Sequence, residues 1–386
     1  MKYKVAIFTT SRAEFGIFYQ LLRQLAMDED TEPVLFVGGA HLALEYGKTI
    51  EEINNLDIHV SDTFDYLLNG DDSYSMAKSF AIANYELARI FESHKFDFTC
   101  LLGDRFELLA VVSNSIVFKV PIIHIAGGDE TEGSIDNQIR HMITKAAHLH
   151  FVSCEEYAEN LRKMCETAQR IFNTGSLNID NVVKHDRVSR EELFEKLNLD
   201  VQKKTILMTY HPVTLEYSVS HIQQIKNVFE ALESFDFQIM VTAPNVDVDR
   251  DQIIAVINAN KIKNPNMHYV ESLGFNQYHN LIPYCEFIIG NSSSGISEVP
   301  YFKVPSINVG DRQKGRILHE SVIEADYSVV GIQAAIRRAI LPDFRKGLTA
   351  MHFKFGDGHA AERMVKIIKD TKIDQDFMRK RLDIPS

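Results

Sequence analysis

Short apolar runs alternate with helical patterns along most of this chain, and this alternation constrains its fold more than any other feature. Apolar runs of four or five residues are typical of strands buried on both faces of a parallel sheet, and the amphipathic segments between them are typical of covering helices. In the first half, strands are predicted at Lys4–Phe8, Val34–Val37, Phe98–Leu102, Ile122–Ile125 and His148–Val152. Helices are predicted between them at Phe15–Ala26, Ser73–Glu92, Phe106–Val117 and Asp136–Ala147.

A second series of the same kind follows in the second half. Its predicted strands are Thr205–Met208, Phe237–Val241, Met267–Val270, Phe287–Ile289 and Ser306–Val309, and its predicted helices are Ser218–Leu232, Asp249–Asn260, Asn276–Ile282 and Ser293–Val299. Two successive series favour an α/β protein with two doubly wound domains and a cleft between them.

The domain boundary is predicted in the polar stretch His185–Asp200. We expect an N-terminal domain at residues 1–184 that carries the catalytic side chains and a C-terminal domain at residues 185–358. A helical tail at residues 359–386, with its helix at Ala360–Lys369, is expected to pack back on the N-terminal domain.

Composition excludes several classes of partner. The chain has 386 residues and a net charge of −12, whereas a surface that tracks nucleic acid or anionic lipid needs an excess of basic residues. No apolar run approaches the roughly 20 residues that span a bilayer. The N-terminus predicts a first strand, and the four cysteines lack C-x-x-C spacing, so we expect a cytoplasmic protein with reduced thiols.

Charged and imidazole side chains follow two of the predicted strands. Gly103-Asp104-Arg105 comes directly after one strand, and His124 to Gly128 covers the end of the next. Ser134-Ile135-Asp136 and Arg140-His141 follow a few residues later. The carboxyl ends of strands in open α/β sheets are where ligands bind, so this pattern predicts a catalytic site.

Two further segments are suited to phosphate. Thr9 to Gly16 leads from the first strand into a helix and contains Arg12, although taken alone this segment is explained better by an N-cap serine and a surface arginine. Gly290 to Gly295 places three serines at another strand–helix turn. A helix N-terminus offers free N–H groups, and arginine adds a forked donor. One N-cap needs a single serine, so three favour a diphosphate site. The chain contains neither G-x-G-x-x-G nor a P-loop motif, which argues against dinucleotide and P-loop nucleotide binding.

Weaker signals at other strand ends support the same interpretation. His211 follows a strand and could donate to a phosphate oxygen or protonate a leaving group, although a structural role is equally compatible with its position. Pro244 to Asp247 and Asp311-Arg312 follow two more strands. The histidines and acids of the first half lack the spacing of a zinc site, so we expect no metal.

Taken together, these segments resemble the hydrolysing UDP-N-acetylglucosamine 2-epimerases of sialic-acid biosynthesis. The similarity runs in order over nearly the whole chain. Its pieces are Ser11 to Glu14, Ala40 to Leu42 with Tyr46-Gly47, Gly103 to Arg105, His124 to Gly128, Ser134 to Asp136, Ile139 to His141, Thr144-Lys145, His211 to Thr214, Pro244 to Asp247, Gly290 to Gly295 with Glu298, Asn308 to Gln313 and Gly356 to Gly358.

The resemblance implies a glycosyltransferase-B-like fold, with two Rossmann-like domains and UDP in the cleft between them. It implies the conversion of UDP-N-acetylglucosamine and water into N-acetylmannosamine and UDP. UDP is eliminated across C1 and C2 to give a 2-acetamidoglucal; water then adds to C1, and a proton returns to C2 from the other face. Carboxylates for proton transfer and cations for the departing diphosphate are required. No cofactor is implied.

The resemblance also implies residue roles. Asp104 would act as acid or base near C2, with Asp136 as the second carboxylate. Glu298 would hold the ribose hydroxyls. The implied contacts to UDP and its diphosphate are Arg12, Arg105, His211, Asn245, Ser292, Ser293 and Arg312, and those to the sugar are His41, Arg140 and His141.

One position departs from the family pattern. Alanine stands at position 126, where relatives carry a catalytic glutamate, and the following segment is one residue longer. Either Asp129 or Glu132 supplies the missing carboxylate, or the chemistry depends on Asp104 and Asp136. A third alternative is a changed sugar, since alanine at this position suits a 4-acetamido, 6-deoxy sugar such as UDP-N,N'-diacetylbacillosamine, used for legionaminic acid.

We therefore predict a hydrolysing epimerase of a UDP-N-acetylhexosamine, first UDP-N-acetylglucosamine and second the diacetamido sugar, that serves nonulosonic-acid synthesis. A non-hydrolysing epimerase, a retaining glycosyltransferase and an inactive nucleotide-sugar sensor are the alternatives. Release of UDP, dependence on an acceptor and binding without turnover would distinguish them. The resemblance further implies a homodimer or homotetramer.

Overall fold

A computed structural model describes residues 2–44, 47–56, 58–68, 72–131, 135–211, 219–244 and 250–384; at Ala13 and Phe275 it describes the backbone only. The chain divides into two compact units. Unit 1 comprises residues 1–129, 135–183 and 355–386, and unit 2 comprises residues 130–134 and 184–354.

Unit 1 is built on a seven-stranded parallel sheet. Its strands are β1 (Tyr3–Thr9), β2 (Thr31–Gly38), β3 (Val60–Phe64), β4 (Phe98–Leu102), β5 (Ile122–Ile125), β6 (Leu149–Val152) and β7 (Ile171–Asn173). Their spatial order is β3-β2-β1-β4-β5-β6-β7, and every adjacent pair is parallel.

Helices cover both faces of this sheet. They are α1 (Arg12–Met27), α2 (Ile50–Asn54), α3 (Ser73–Ser93), α4 (Leu108–Val117), α5 (Asp136–Ala146), α6 (Glu155–Lys163) and α7 (Leu177–Lys184), together with the tail helix α15 (Ala360–Asp370). Successive residues of a strand point to opposite faces. Val5 and Ile7 of β1 therefore pack with α1 and α15, while Ala6 and Phe8 pack with α3, α4 and α5. This two-sided burial explains why the central strands consist mainly of apolar residues.

The tail helix α15 is fixed in unit 1 by more than apolar packing. The carboxylate of Asp180 accepts the backbone N–H groups of Ala360 and Ala361 at 2.8 Å each. A helix N-terminus leaves N–H groups without intrahelical partners, and a carboxylate satisfies them while favouring the helix dipole.

Unit 2 repeats the plan with six parallel strands. They are β8 (Thr205–Thr209), β9 (Gln238–Thr242), β10 (Met267–Val270), β11 (Cys285–Gly290), β12 (Ser306–Val309) and β13 (Val322–Ala325), in the order β10-β9-β8-β11-β12-β13. The helices are α8 (Arg190–Lys196), α9 (His221–Leu232), α10 (Arg250–Lys263), α11 (Gly274–Leu281), α12 (Ser294–Ser297), α13 (Val329–Ala339) and α14 (Pro342–Gly347).

The two faces of the unit 2 sheet are covered by different helices. One apolar cluster joins the sheet to α9, α10 and α13, and the other joins it to α8 and α11. The predicted α/β class with two Rossmann-like sheets is confirmed. Within the described ranges, no helix is long and apolar enough to cross a membrane.

Candidate functional site

The strand order of unit 1 reverses between β1 and β4, which are neighbours in the sheet although β2 and β3 separate them in sequence. Such a reversal opens a crevice at the carboxyl ends of the two strands, where ligands bind in doubly wound folds. Thr9 ends β1 and Thr10 follows it, while Gly103 and Asp104 follow β4. Asp104 therefore occupies the position that this fold class uses for ligands.

Asp104 is held by an arginine of α5. The Nη2 atom of Arg140 donates to Oδ2 of Asp104, and Nη1 donates to the carbonyl oxygen of Asp129 at 2.9 Å and to Oδ1 of Asn137 at 3.0 Å. The Arg140 side chain is 2% exposed, whereas that of Asp104 is 25% exposed. A buried guanidinium thus fixes a carboxylate that solvent can still reach.

The backbone before Asp104 is fixed by His124 at the end of β5. Its Nε2 lies 2.9 Å from the carbonyl oxygen of Gly103, and its Nδ1 lies 3.0 Å from Oγ1 of Thr144. A carbonyl can only accept, so the proton is on Nε2 and the Thr144 hydroxyl donates to Nδ1. Burial lowers the pKa of His124 to about 3, which keeps the ring neutral and suited to this pair of bonds.

Three predicted residues lie together on α5. Asp136 is in its first turn, Arg140 is one turn later on the same face, and His141 is adjacent to Arg140. Asp136 and His141 are half-buried. The structure therefore places Arg140 in contact with Asp104, and Asp136 and His141 lie on the same helix as Arg140. Asp129 is half-buried, and its backbone oxygen serves Arg140.

The predicted contacts Arg12 and His41 have partners within the chain. Arg12 is exposed and forms an ion pair with Glu52 at 3.0 Å. His41 is fully buried, with Nε2 at 3.1 Å from Oγ1 of Thr9 and Nδ1 at 2.7 Å from Oγ1 of Thr49. Its ring nitrogens are thus occupied by threonine hydroxyls.

Ala126 follows β5 at the same sheet edge. Its backbone N–H donates to the carbonyl oxygen of Phe151 at 3.0 Å, and its φ of 64° lies in the left-handed region that L-residues seldom adopt. The position at which the resemblance implies a glutamate therefore carries only a methyl group on an unusual backbone. Arg105, next to Asp104, is half-exposed and donates from Nε to Oε1 of Glu107 at 2.7 Å.

Unit 2 has its own strand-order reversal, between β8 and β11. Asn291, directly after β11, bridges the two strand ends: its Oδ1 accepts the N–H of His211 at 2.7 Å and its Nδ2 donates to the carbonyl oxygen of His211 at 2.9 Å. Gly290 makes this close approach possible, because a Cβ there would lie 1.8 Å from the carbonyl oxygen of Thr209.

The backbone carbonyl oxygen of Asn291 also accepts hydrogen bonds from two side chains in the segment after β12. Arg312 donates from Nη1 and Gln313 from Nε2 to the carbonyl oxygen of Asn291, at 3.1 Å and 2.9 Å. Burial, together with the charge of Arg312, lowers the pKa of His211 to about 3. One asparagine thus joins three of the segments that sequence analysis had singled out separately.

The serine-rich turn is shorter as a helix than predicted. The expected helix Ser293–Val299 is the four-residue α12, with Ser293 as the exposed residue before it. The hydroxyls of Ser292 and Ser294 lie 3.1 Å apart, and that of Ser294 lies 2.6 Å from the Tyr278 hydroxyl. The turn therefore presents a chain of hydroxyl groups.

Glu298, the predicted ribose contact, is oriented by a buried histidine. Its Oε2 lies 2.7 Å from Nε2 of His279 in α11. The ring of His279 is flanked by the ring of His185 at a centroid distance of 5.6 Å. The sequence analysis did not identify His279.

Two predicted site residues, Glu132 and Asn245, lie outside the described residues. Over the ranges that are described, no group of three or more His, Cys, Asp or Glu side chains could hold a metal ion. The described chemistry consists of a held carboxylate and arginines in unit 1 and hydroxyl, amide and guanidinium donors in unit 2, groups suited to proton transfer and to anion binding.

The sequence was compared with proteins of known family. The family model described as UDP-N-acetylglucosamine 2-epimerase matches residues 23–369. A GDP/UDP-N,N'-diacetylbacillosamine 2-epimerase (hydrolyzing) of Campylobacter jejuni is 35% identical over 327 residues, which is 84% of this chain and 85% of the relative. A UDP-N,N'-diacetylbacillosamine 2-epimerase (hydrolyzing) of Legionella pneumophila is 30% identical and covers 98% of each chain.

A UDP-N-acetylglucosamine 2-epimerase of Neisseria meningitidis is 31% identical over 338 residues, 87% of each chain. Among solved structures, a UDP-GlcNAc 2-epimerase of Methanocaldococcus jannaschii in complex with UDP-GlcNAc and UDP aligns with a TM-score of 0.75 at 18% identity, covering 95% of this chain and 100% of that one. That structure shares the fold. The chain thus belongs to the UDP-N-acetylglucosamine 2-epimerase family.

Proposed function

We propose that this protein is a hydrolysing 2-epimerase of a UDP-linked 2-acetamido sugar. The observation that carries the proposal is the Asp104–Arg140 pair at the strand-order reversal of unit 1. Family membership supplies the substrate class, and the pair supplies a carboxylate that is both positioned and accessible. The family resemblance noted in the sequence analysis implies the same reaction.

The reaction needs a base at carbon and a stabiliser at the leaving group. Removal of the C2 proton breaks the C–H bond, its electrons form the C1–C2 double bond, and the C1–O bond breaks with UDP as the leaving group. Water then adds across the double bond, with its hydroxyl on C1 and a proton on C2. Asp104 is the candidate for proton transfer because the Arg140 and His124 contacts fix its position before substrate arrives.

The leaving diphosphate needs hydrogen-bond donors and positive charge. The hydroxyl groups of Ser292 and Ser293 and the guanidinium of Arg312 supply these in unit 2, with Arg312 held on the Asn291 carbonyl. Glu298, oriented by His279, is suited to accept from two ribose hydroxyls. His211→Ala and Arg312→Ala should each weaken UDP binding.

For the sugar, we favour UDP-N,N'-diacetylbacillosamine over UDP-N-acetylglucosamine, which reverses the order that sequence analysis gave. The Campylobacter and Legionella relatives carry the diacetamido sugar in their names and match over 84% and 98% of this chain. Ala126 places a methyl group at the position where the resemblance implies a glutamate, so this sheet edge has less charge and less bulk than the family pattern would give it. A 6-deoxy sugar with a second acetamido group is larger and less polar than N-acetylglucosamine. Such a sugar would bind better at a site with less bulk and less charge.

UDP-N-acetylglucosamine is the second candidate. It is favoured by the Neisseria relative, which is 31% identical over 338 residues and bears that sugar in its name. The relatives named for the two sugars are about equally identical to this chain, so overall identity does not distinguish the two substrates. Particular positions such as Ala126 have to distinguish them.

The test is a comparison of kcat/KM for UDP-N,N'-diacetylbacillosamine, its GDP-linked form and UDP-N-acetylglucosamine, followed by 31P and 1H NMR. Free nucleotide and a 2-epimerised reducing sugar in equal amounts are expected, with the UDP-linked diacetamido sugar preferred. An epimer still linked to UDP would contradict hydrolysis. Binding of UDP without turnover of any of the three would support a sensor instead.

A further inference from the structure

Two buried glutamates meet at the strand-order reversal of unit 1, and the reaction described above uses neither. Glu14 lies in the first turn of α1, and Glu107 immediately precedes α4. They are 6% and 2% exposed, respectively. Carboxyl groups are seldom buried without a compensating partner, because burial of the charged form is unfavourable. A pair of buried carboxyl groups at a ligand-binding edge therefore indicates a functional role.

A single threonine hydroxyl connects the two carboxyl groups. Oγ1 of Thr10 lies 2.7 Å from Oε1 of Glu107 and 3.2 Å from Oε2 of Glu14, and the Thr10 backbone N–H donates to the same Oε2 at 2.8 Å. The hydroxyl has one proton and can donate to only one carboxyl at a time. The contact spans the reversal itself, since Thr10 follows β1 and Glu107 follows β4.

Glu107 in turn holds Arg105. Its Oε1 accepts from Nε of Arg105 at 2.7 Å, and the arginine side chain is 53% exposed while that of Glu107 is 2% exposed. Among the residues that the structure describes, Nη1 and Nη2 of Arg105 donate to none. The guanidinium is therefore anchored through Nε, while about half of the side chain is exposed to solvent.

The charges around the pair balance only if one carboxyl group is neutral. Arg105 is the cation that contacts the cluster, the Tyr66 hydroxyl lies nearby with its pKa raised by burial and by Glu107, and His41, beyond Thr9, has its pKa lowered to about 4 by burial. Burial, reinforced by the charge of Glu107, raises the pKa of Glu14 to about 7. Glu14 is thus the group that holds the proton.

We propose that Glu107 is a positioning residue that fixes Arg105 for binding the anionic sugar nucleotide. With Glu14 protonated, the Thr10 hydroxyl is free to donate to Glu107. This rests on the proposed function for the identity of the anion. When Glu14 loses its proton, two buried carboxylates compete for the one proton of the Thr10 hydroxyl. Glu107 then loses part of the hydrogen bonding that fixes it, and Arg105 is held less firmly.

The test uses the full-length enzyme with Glu107→Gln, Glu14→Gln and, as a control, the exposed Glu155→Gln, with kcat and KM measured from pH 6 to 9. Glu107→Gln should raise KM by roughly tenfold with a smaller change in kcat. The KM of the wild type should rise roughly fivefold above pH 7. Glu14→Gln should abolish that rise, because its amide cannot ionise, while the control follows the wild type.

A second measurement requires no turnover, so it also applies if the proposed reaction is wrong. Above pH 7 the wild type must bury the ionised Glu14, so Glu14→Gln should unfold at a higher temperature than the wild type at pH 8 and at the same temperature at pH 5. UDP affinity measured by calorimetry at both pH values replaces KM if no sugar nucleotide reacts. A wild-type pH profile in Glu14→Gln, or unchanged KM and UDP affinity in Glu107→Gln, would overturn the proposal.

Discussion

The carboxylate of Asp104 is paired with the guanidinium of Arg140, a side chain that is itself 2% exposed. Arg140 is held from the other side by the carbonyl oxygen of Asp129 and by Asn137. Because the guanidinium is planar and its contacts point in fixed directions, it sets the orientation of Asp104 without closing it off from solvent. The pair provides the reference point for the chemistry proposed in unit 1.

Asp104→Asn should remove catalysis and leave UDP binding in place. The amide keeps the shape of the side chain but cannot accept a proton from carbon, so kcat should fall by at least ~100-fold while the Kd for UDP changes by less than about twofold. UDP release and calorimetry measure the two quantities. Asp236→Asn, an exposed position in unit 2, is the matched control. Near-normal turnover in Asp104→Asn would exclude this residue from the mechanism.

Asn291→Ala should lower both the stability of unit 2 and the affinity of the protein for UDP. The substitution removes the two hydrogen bonds exchanged with His211 and leaves a buried N–H and a buried carbonyl without those partners. A loss of about 2–3 kcal/mol in the free energy of unfolding is expected, and UDP should bind about tenfold more weakly because His211 loses the side chain that fixes its backbone, although the backbone carbonyl that Arg312 contacts remains. Urea denaturation and calorimetry test this, with the exposed Asn258→Ala as control. Unchanged UDP affinity would separate Asn291 from the site.

The environment of Glu166 leads us to expect that the protein loses stability at acidic pH. It is buried among His150, Lys145 and Lys380 of the tail; burial alone would raise its pKa, but hydrogen bonds from these three groups outweigh burial and lower the pKa to about 2. A carboxyl whose pKa is lower in the folded state stabilises the protein above its unfolded pKa and loses that contribution as the pH falls toward the folded value.

Glu166→Gln should therefore reduce the free energy of unfolding by roughly 3 kcal/mol at pH 7, and the difference from the wild type should shrink as the pH falls from 4.5 toward 2. Urea denaturation at several pH values measures it. Glu155→Gln, on an exposed side chain, should show no such trend. A difference that stayed constant between pH 7 and pH 3 would contradict the ion cluster as its source.

Ala126→Glu should shift the sugar preference. The glutamate adds charge and bulk at the sheet edge, so kcat/KM for UDP-N-acetylglucosamine relative to the diacetamido sugar should rise by roughly fivefold or more. Ala126→Gln separates charge from size. The φ of 64° strains both variants equally, which makes their comparison fair. An unchanged ratio in both would remove Ala126 as a determinant of the sugar.

The central strands could be predicted from sequence because both of their faces are buried, which makes them short, mainly apolar runs. The missed strands β3, β7 and β13 lie at sheet edges, where burial is one-sided or the strand is only three or four residues long. β3, for example, contains Ser61 and Asp62. Such a segment does not differ from a loop in its pattern alone.

The site shows a similar division. Side chains at strand ends, such as Asp104 and His211, stand out because charged and imidazole groups are unusual beside apolar runs. Their partners do not: Thr10 and Glu107 are 97 residues apart in sequence, and Asn291 lies 80 residues from His211. A buried polar group that anchors another looks like any surface polar residue until the fold brings the two together.

The most direct test of the account is the reaction of the enzyme with UDP-N,N'-diacetylbacillosamine in D2O, followed by NMR and mass spectrometry of the product. The proposed C1–C2 elimination requires the C2 proton to be lost and then replaced by a proton from the solvent. We predict one deuterium at C2 of a free, 2-epimerised sugar together with an equal amount of UDP. A product that retains hydrogen at C2, or an epimer that remains linked to UDP, would contradict the proposed mechanism.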